Sequence, residues 1–385
     1  ADVNAFCEEL RPVEELCYVE HRFNDELVPP GTKHNIHGLM VPRELGGRGC
    51  DTVTYARALA RIGREGTGVR TFFSGHSSIG QYPILTWGND EQKRRYLPAS
   101  TTGEKIMAFG LTEPEAGSNP LEMQMTYERK GDNFILNGVK YLISNGGIAS
   151  TIVTFAYSKE ALAGKGRRVS AFIVDTGGPG FTAEDLTAKM GMPTANTAMF
   201  ELSDYQVPAS NLLGAEGDGF RIAMGTLVSG RLSVASGCLG VIEDCLAEVI
   251  TYGKERMQHG KPIAKHQLVQ EHIAAIEMDR LASDALVMKA AEAKDVSIAA
   301  PDDKELYAKA ELLAAQAKLF AANASWDAAD RAVQVFGGRG WSTLYRPGRH
   351  LQDTRVCRIY EGTDEILKMK IAAAVLGGKE WEAFK

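Results

Sequence analysis

Residues 150–157 read STIVTFAY, a run of β-branched, aromatic and small residues that is typical of a β-strand. Three similar runs lie at residues 133–137, 169–175 and 198–202, and turns rich in Gly, Asn and Asp separate them. Short strands at this spacing predict a small antiparallel β domain in the middle of the chain.

Helical patterns flank this β region on both sides. Before it, helices are predicted at residues 3–22, 52–63 and 90–97, with breaks at residues 29–31 (PPG) and 46–49 (GGRG). After it come longer segments rich in alanine and leucine, whose lengths suit a helix bundle. These segments lie at about residues 220–257, 264–296, 302–337 and 364–376.

The order of elements predicts an α+β protein with three domains. They are an N-terminal helical domain (1–106), a central antiparallel β domain (107–215) and a C-terminal four-helix-bundle domain (216–385). This is not the alternation of strands and helices expected of a doubly wound sheet. The glycine-rich segments at residues 214–219 and 337–340 do not supply a Rossmann or P-loop fingerprint. If a nucleotide cofactor binds, it is held by a backbone arrangement other than a Rossmann or P-loop motif.

The composition narrows the choice of partners. The 385 residues carry a formal net charge of -6 and a pI near 5.9, which argues against nucleic acid and anionic membranes. The six cysteines form no CxxC, so we expect neither a disulfide framework nor a metal site. No uncharged apolar run reaches the roughly eighteen residues of a membrane span, so we expect a soluble protein. Small molecules and other proteins remain as partners.

Residues 358–366 read RIYEGTDEI and place three carboxylates close together. Asp364 and Glu365 fit the first turn of a helix, where acidic side chains interact favourably with the helix dipole. Glu361 precedes Gly362 and the cap-like Thr363, so it belongs to a turn. A carboxylate on a glycine turn can point into a cleft. The pattern alone leaves open whether Glu361 is a catalytic base or part of a solvated charge cluster.

Five motifs occur in order and together resemble the acyl-CoA dehydrogenase family. Two look like flavin-binding segments, one like an arginine motif followed by His266-Gln267, one like a glycine loop, and one like the turn of the catalytic base. The motifs are residues 109–118 (FGLTEPEAGS), 137–146 (NGVKYLISNG), 255–263 (ERMQHGKPI), 334–338 (QVFGG) and 359–363 (IYEGT). The family's fold has the same order of helical, β and helical domains.

The resemblance implies bound FAD. In the family the first segment lies along the flavin, and Ser144 would place its hydroxyl near the reactive edge of the ring. Arg256 and Gln267 would hold the pyrophosphate region, and residues 334–338 would reach the cofactor of a neighbouring subunit, which implies a homotetramer. The expected cofactor-binding residues are Phe109, Leu111, Thr112, Gly117, Ser118, Leu142, Ser144, Arg256, Gln267, Gln334, Gly337, Gly338 and Thr363.

The resemblance also implies a reaction. Glu361 would remove a proton alpha to the thioester carbonyl, and hydride would leave the beta carbon for flavin N5. The backbone N–H of Glu361 and a flavin ribityl hydroxyl would polarise the carbonyl. A minority of the family carries its base one residue before the arginine matched by Arg231, and Gly230 stands there, which favours Glu361. The expected substrate-binding residues are Ser118, Arg231, Tyr360, Gly362, Arg70 and Ser74.

Three departures bear on the substrate and the acceptor. Leu142 replaces an aromatic residue that covers the flavin in many members, and Val228 replaces an aspartate near coenzyme A in some. Arg70 and Ser74 resemble the residues with which glutaryl-CoA dehydrogenases meet the distal carboxylate of their substrate. A buried arginine requires an anion, so this predicts an acidic acyl chain. The alternative is that Arg70 points outward or pairs with Glu65.

The sequence therefore leaves three functions open. The first is FAD-dependent dehydrogenation of a short- or medium-chain acyl-CoA, with electrons passing to an electron-transfer flavoprotein. The second is a glutaryl-CoA-type dehydrogenase, with or without decarboxylation. The third is a non-catalytic acyl-CoA-binding or assembly protein on the same fold, which the presence of Glu361 disfavours. We expect the cytoplasm if the protein is bacterial and the mitochondrial matrix if it is eukaryotic.

Overall fold

The N-terminal part of the chain folds into short helices. The structure is a computed structural model and describes residues 2–160, 168–381 and 383. Helix α3 has the predicted bounds, whereas α6 is longer than predicted and α2, α4 and α5 are additional. A π-helical segment, Gly75–Gln81, joins α4 to α5. The helices are α1 (Asp2–Val19), α2 (Val28–Lys33), α3 (Thr52–Gly63), α4 (Thr67–Ser74), α5 (Tyr82–Trp87) and α6 (Asp90–Thr101).

Capping and periodicity explain why some of these helices are visible in the sequence. Asp51 caps α3 by accepting a hydrogen bond from the backbone N–H of Thr54, and Tyr55, Leu59 and Ile62 form its buried stripe. Helix α4 is buried on every side, its polar residues included, and it spans only eight residues. A segment this short does not give the long periodic pattern that identifies a helix from sequence.

The central domain is the predicted β domain, and its sheet is mixed rather than wholly antiparallel. The strand order is β6-β7-β3-β2-β4-β5-β8, with β1 beside β4. Strands β1 and β2 run parallel to β4, and the other neighbours are antiparallel. The strands are β1 (Met107–Gly110), β2 (Thr126–Lys130), β3 (Asn133–Ser144), β4 (Thr151–Ser158), β5 (Val169–Asp175), β6 (Phe181–Asp185), β7 (Thr197–Pro208) and β8 (Leu212–Leu213).

Strand β4 is covered on both faces, which explains its continuous apolar sequence. Val153 and Phe155 pack with Ile84 of the N-terminal helices, and Ile152 packs with Phe172 on the other face. The sheet is thus held against the N-terminal domain through β4.

The C-terminal part is a helix bundle. Helix α9 packs against α7, α8 and α11, and its buried face is almost entirely alanine, which lets the helix backbones approach closely. Helix α10 was not predicted, because its sequence RPGRHLQDT is strongly polar. The helices are α7 (Gly219–Glu255), α8 (Gln267–Ala299), α9 (Lys304–Phe336), α10 (Arg346–Thr354) and α11 (Asp364–Leu376), and a hairpin of β9 (Met257–Gln258) and β10 (Lys261–Pro262) joins α7 to α8.

Glycines bring the N-terminal domain into backbone contact with the bundle. A Cβ on Gly240 of α7 would lie 2.0 Å from the carbonyl oxygen of Ala60 on α3. A Cβ on Gly237 would lie 2.6 Å from Cδ and Nε of Arg70 on α4, so the arginine stem rests on the bare Cα of Gly237. These contacts fix α4 beside α7. Across the described ranges, no helix combines the length and the apolar character that crossing a membrane requires.

Candidate active site

A cavity opens where the three parts of the chain meet. It encloses about 270 Å³ of space, part of it open to solvent. Helix α4, the π-helical segment, the end of β3, the middle of α7 and the turn before α11 form its walls. The lining residues are Arg70, Thr71, Ser74, Gly75, Ser78, Ile79, Ser144, Gly230, Val234, Tyr360 and Glu361.

Glu361 stands in a turn, as the sequence predicted, and outside helix α11. Its φ is 56° and that of Gly362 is 94°, so both residues occupy the left-handed region. Thr363 caps α11 by accepting a hydrogen bond from the N–H of Ile366. Asp364 is buried in the first turn, where it binds Arg358 at 2.9 Å. The turn therefore separates Glu361 from the other two carboxylates.

The surroundings of Glu361 suit a general base. Its Oε2 atom is buried and has no hydrogen-bond partner among the described residues. Burial raises the pKa of this carboxyl to about 7, although Arg231, Lys318 and Arg70 each oppose the rise. A carboxylate with a pKa near the working pH can accept a proton and release it again.

Gly230 makes room for the carboxyl of Glu361. A Cβ at position 230 would lie 2.4 Å from Oε2 of Glu361. A side chain at position 230 and the carboxyl of Glu361 therefore cannot occupy this space together. Glycine has no side chain that could act as a base, so Glu361 is the carboxylate available here.

Arg70 is buried in the wall of the same cavity, with only 2% of its surface exposed. Its guanidinium donates to Ser74 Oγ at 3.2 Å and to the hydroxyl of Tyr360, and its Nε has no partner among the described residues. Glu65 instead binds Arg11 at 2.7 Å and also binds Arg61. The alternative that Arg70 points outward or pairs with Glu65 is therefore wrong.

The two predicted flavin segments are joined to each other. The N–H of Tyr141 donates to the carbonyl of Thr112 at 2.9 Å, and the buried ammonium of Lys140 bonds to Leu111 O at 3.1 Å and to Glu113 at 2.7 Å. Phe109 packs against Phe155, its ring centroid 5.0 Å away, and so anchors the first segment to β4. Gly117 and Ser118 lie on the exposed loop that follows.

The residues present fit a flat, largely uncharged ring. The register of β3 against β7 shifts between Lys140 and Ile143, and at this bulge Leu142 has a φ of 59°. Its apolar side chain is 55% exposed, beside the cavity-lining Ser144. An exposed apolar side chain beside a hydroxyl group suits the face and the polar edge of a flavin ring.

The remaining predicted cofactor residues lie elsewhere. Arg256, Gln267, Gln334, Gly337 and Gly338 are exposed at the far end of the bundle, where α7 and α9 end and α8 begins, and none of these described residues lines the cavity. Arg231 and Arg256 are separated by about 37 Å along α7, at about 1.5 Å per residue. These five residues therefore do not reach the cavity of their own chain.

Two buried features of the site were missed by sequence reasoning. Lys318 is fully buried in α9, where its ammonium donates to the carbonyl of Gly362 at 2.7 Å. Its spacing was the available signal, because it stands four residues from Ala314 and from Ala322 on the buried alanine face. The second missed feature is the buried ion pair of Lys140 and Glu113. No sequence pattern indicated that these two residues would be in contact.

A second cavity, between α1 and α10, contains none of the motif residues. Its lining includes Glu14, Arg346 and Asp353. Arg346 binds Asp244 at 2.7 Å, and Asp353 accepts a hydrogen bond from Tyr18 at 2.9 Å. These polar groups are thus hydrogen-bonded to one another or to neighbours outside the lining, such as Asp244. Within the described ranges, no group of three or more His, Cys, Asp or Glu residues is placed to hold a metal ion.

Comparison with known proteins decides the family. The N-terminal, middle and C-terminal domains of acyl-CoA dehydrogenases match residues 1–104, 108–205 and 217–376. An acyl-CoA dehydrogenase of Bacillus subtilis (strain 168) is 37% identical over 370 residues, which is 96% of this chain and 94% of that protein. The chain belongs to the acyl-CoA dehydrogenase family. It is an oxidoreductase and a flavoprotein that uses FAD.

Other relatives have narrower descriptions. A short-chain-specific acyl-CoA dehydrogenase of Clostridium acetobutylicum is 35% identical over 374 residues, covering 97% of this chain and 96% of that protein. Butyryl-CoA dehydrogenase from Megasphaera elsdenii superposes with a TM-score of 0.90 at 34% identity, covering 97% of this chain and 96% of the other.

Two further solved structures are similar along nearly their whole length. A glutaryl-CoA dehydrogenase in complex with glutaryl-CoA has a TM-score of 0.89 at 33% identity and covers 99% of this chain and 97% of the other. A structure described under the electron transferring flavoprotein of Acidaminococcus fermentans has a TM-score of 0.91 at 35% identity and covers 98% of this chain and 96% of the other.

Proposed function

We propose that this protein dehydrogenates the alpha,beta bond of a short-chain acyl-CoA thioester, with Glu361 as the base. The observation that carries the proposal is the buried Oε2 of Glu361, which has no hydrogen-bond partner among the described residues. It lies at the wall of the cavity, on a carboxyl with a pKa of about 7. Bound FAD supplies the hydride acceptor. The similarity to short-chain-specific and butyryl-CoA dehydrogenases supports a short acyl group over a medium-length one.

The residues around the cavity have complementary roles in this proposal. The carboxylate of Glu361 accepts the alpha proton, and its backbone N–H polarises the thioester carbonyl, which stabilises the negative charge that develops there. Tyr360 and Gly362 flank the base on the same turn, and Ser118 and Arg231 complete the expected contacts to the substrate. Ser144, Leu142 and the segment from Phe109 to Ser118 are the proposed flavin-binding residues.

An anaerobic spectral titration of the FAD-loaded protein with butyryl-CoA and octanoyl-CoA tests this function. We expect the flavin absorbance to bleach with butyryl-CoA at a lower concentration than with octanoyl-CoA, and crotonyl-CoA to form. A flavin that stays oxidised with every acyl-CoA offered would reject dehydrogenation and favour a non-catalytic acyl-CoA-binding protein.

Arg70 supports a second candidate, a substrate whose acyl chain ends in a carboxylate. Arg70 is buried, its Nε is unpaired, and no carboxylate lies within 4.0 Å of its nitrogens in the described ranges. The hydroxyl of Thr71 is also buried, with no hydrogen-bond partner within the described ranges, and Ser74 and Ser78 line the same wall. The guanidinium also lies 3.9 Å from Sγ of Cys357. A buried guanidinium without a carboxylate partner is costly, and a carboxylate on the substrate would reduce that cost.

Glutaryl-CoA distinguishes the two candidates. If the acyl chain is dicarboxylic, glutaryl-CoA reduces the flavin at least about tenfold more efficiently than butyryl-CoA, since a buried charged hydrogen bond contributes about 1.5–3 kcal/mol. Arg70→Met then removes this preference, whereas Arg11→Met, which alters an arginine outside the cavity, keeps it. Mass analysis of the product separates simple dehydrogenation from dehydrogenation with decarboxylation. Equal efficiency with both substrates would favour a substrate with a short, uncharged acyl chain.

We also infer the protein partners. An electron-transfer flavoprotein is the proposed acceptor, which is supported by the similarity to the structure described under that of Acidaminococcus fermentans. A homotetramer is supported by the exposed positions of Arg256, Gln267, Gln334, Gly337 and Gly338, which suit a neighbouring subunit's cofactor. Steady-state assays with and without an electron-transfer flavoprotein, and a native mass measurement, test these two points.

A further inference from the structure

The turn that carries Glu361 is held by two buried cations. Nε of Arg231 donates to the carbonyl oxygen of Glu361 at 3.1 Å, and Nζ of Lys318 donates to the carbonyl oxygen of Gly362 at 2.7 Å. Left-handed backbone at a residue with a Cβ costs about 1–2 kcal/mol. The left-handed conformation of Glu361 therefore depends on these two hydrogen bonds, which hold the carbonyls of Glu361 and Gly362 in place.

Lys318 is an unusual residue for its position. It is 0% exposed and stands on the alanine face of α9, yet it makes no salt bridge within 4.0 Å in the described part of the chain. The nearby carboxylate of Asp364 accepts hydrogen bonds at Oδ2 from Arg358 at 2.9 Å and from Asn323 at 3.1 Å, and it makes no salt bridge with Lys318. An uncompensated ammonium is costly in such a place, where an apolar side chain would pack more favourably.

The charges around Glu361 come from three elements. Arg70 lies on α4, Arg231 on α7 and Lys318 on α9, and all three favour the ionised carboxylate against its burial. Lys318 itself faces Cys238 on α7, and Cys357 and Asp364 around the turn. Among the three cations, Lys318 is the one that bonds to the residue directly after the base.

We propose that Lys318 is a positioning residue for the catalytic base: its ammonium holds the Gly362 carbonyl and so, together with Arg231, aims the Glu361 carboxylate into the cavity. Its charge also makes Glu361 easier to ionise. This inference rests on the proposed function, because it assigns Lys318 a role through Glu361.

Lys318→Met tests the proposal in the FAD-loaded protein. The change removes the charge and the donor while keeping most of the side-chain volume. With the better substrate of the titration above, we expect kcat to fall about tenfold or more at pH 6, with KM changed less than about threefold, because misplacing a base by a fraction of an ångström is costly. We expect the acidic limb of the pH profile to move upward by about one pH unit, because a nearby positive charge is lost.

Two further variants separate position from charge. Lys318→Gln keeps an N–H donor for Gly362 but no charge, so it is expected to show the displaced limb with a smaller loss of kcat. It also serves if Lys318→Met fails to bind FAD. Lys309→Met, on the exposed side of the same helix, is the matched control and is expected to keep the wild-type profile. The pH dependence of the melting temperature reports the Glu361 titration independently of turnover.

The results divide clearly. An unmoved acidic limb in both Lys318 variants, combined with a kcat that is unchanged or that falls equally in Lys318→Met and Lys318→Gln, would overturn the positioning role and leave Lys318 a structural residue. Loss of turnover in Glu361→Gln together with that unmoved limb would reject only the Lys318 inference. Wild-type turnover in Glu361→Gln would reject the proposed base itself.

Discussion

At the scale of single residues, Glu361 combines three properties that a solvated charge cluster lacks. It lies on a left-handed turn, its Oε2 is buried with no hydrogen-bond partner in the described part of the chain, and its pKa is raised to about 7 by burial. Asp364 on the same stretch is bound to Arg358 and Asn323, and Glu365 is exposed. The turn thus separates Glu361, the proposed base, from two carboxylates that begin a helix.

The raised pKa of Glu361 predicts a stability difference that depends on pH. The folded state holds the proton more tightly than the unfolded state, so folding is favoured below the unfolded pKa of about 4.5 and this advantage is lost as the pH rises through about 7. Glu361→Gln is therefore expected to be more stable than the wild type by on the order of 2 kcal/mol at pH 8, and equal to it near pH 4. Denaturant titrations at the two pH values measure this, and an equal difference at both would contradict the assigned burial of the carboxyl.

Gly230 predicts a specific loss of activity. Because a Cβ there would lie 2.4 Å from Oε2 of Glu361, Gly230→Ala is expected to displace the carboxyl and lower kcat about tenfold to a hundredfold. Ser236→Ala, on the same helix with its hydroxyl bonded to Leu232 O, is the control and is expected to stay within about twofold of the wild type. Unchanged kcat in Gly230→Ala would mean that the carboxyl does not need this space.

At the scale of elements, the site depends on how closely α3 and α7 approach. The Cα of Gly240 faces the carbonyl of Ala60, and the Cα of Gly237 supports the stem of Arg70. These two glycines bring the wall that contains Arg70 within reach of the wall that contains Gly230.

A comparison of two glycines in α7 tests this close approach. Gly240→Ala would place a Cβ 2.0 Å from a carbonyl oxygen, so we expect it to reduce the free energy of unfolding by about 1–3 kcal/mol. In Gly253→Ala the new Cβ would make an ordinary contact of 3.4 Å with Ala264. This variant is expected to increase the free energy of unfolding by about 0.5–1 kcal/mol, because alanine favours a helix more than glycine does. Denaturant unfolding measures both, and equal effects would show that α3 and α7 can separate without cost.

Sequence reasoning succeeded where an element has a long periodic pattern or capping residues. The bundle helices α7, α8, α9 and α11 lie within a few residues of their predicted ends, and α3 has its predicted bounds. The parallel pairing of β1 and β2 with β4 was not visible, because pairing direction is a tertiary property. Helix α4 was missed because it is buried on all sides and rich in Gly, Thr and Ser.

The candidate site was also predictable in part, because several of its residues belong to short sequence motifs. Glu361, Tyr360, Arg70, Ser74 and Ser144 were named from motifs, and the structure brings all of them to one cavity. Lys318, which bonds to the turn from another helix, belongs to no motif. Its role depends on a contact between residues 44 positions apart, and no local pattern reports such a contact.

At the scale of the whole molecule, the predicted cofactor residues fall into two groups. One group, including Ser144 and Leu142, lies at or beside the Glu361 cavity, and the other, around Arg256, lies about 37 Å away along α7. Two such groups are explained if each chain binds FAD in its own cavity and contributes Arg256 to a neighbour.

The variant Arg256→Gln tests this arrangement. FAD affinity should fall about tenfold or more, because a charged hydrogen bond contributes about 1.5–3 kcal/mol, while the acidic limb of the pH profile stays in place. Lys254→Gln, an exposed neighbour, is expected to keep the wild-type affinity. Fluorescence titration of the apoprotein with FAD measures both. Unchanged affinity in Arg256→Gln would remove the second group from the cofactor site.

The most direct test of the account is the rate of flavin reduction in Glu361→Gln. The variant and the wild type, both loaded with FAD, are mixed anaerobically with butyryl-CoA and with glutaryl-CoA in a stopped-flow instrument, and the flavin absorbance is followed. We predict that the variant binds FAD with a normal spectrum and that its flavin is reduced at least about a thousandfold more slowly with either substrate, since it cannot accept the alpha proton. Reduction at the wild-type rate would contradict the assignment of Glu361 as the base.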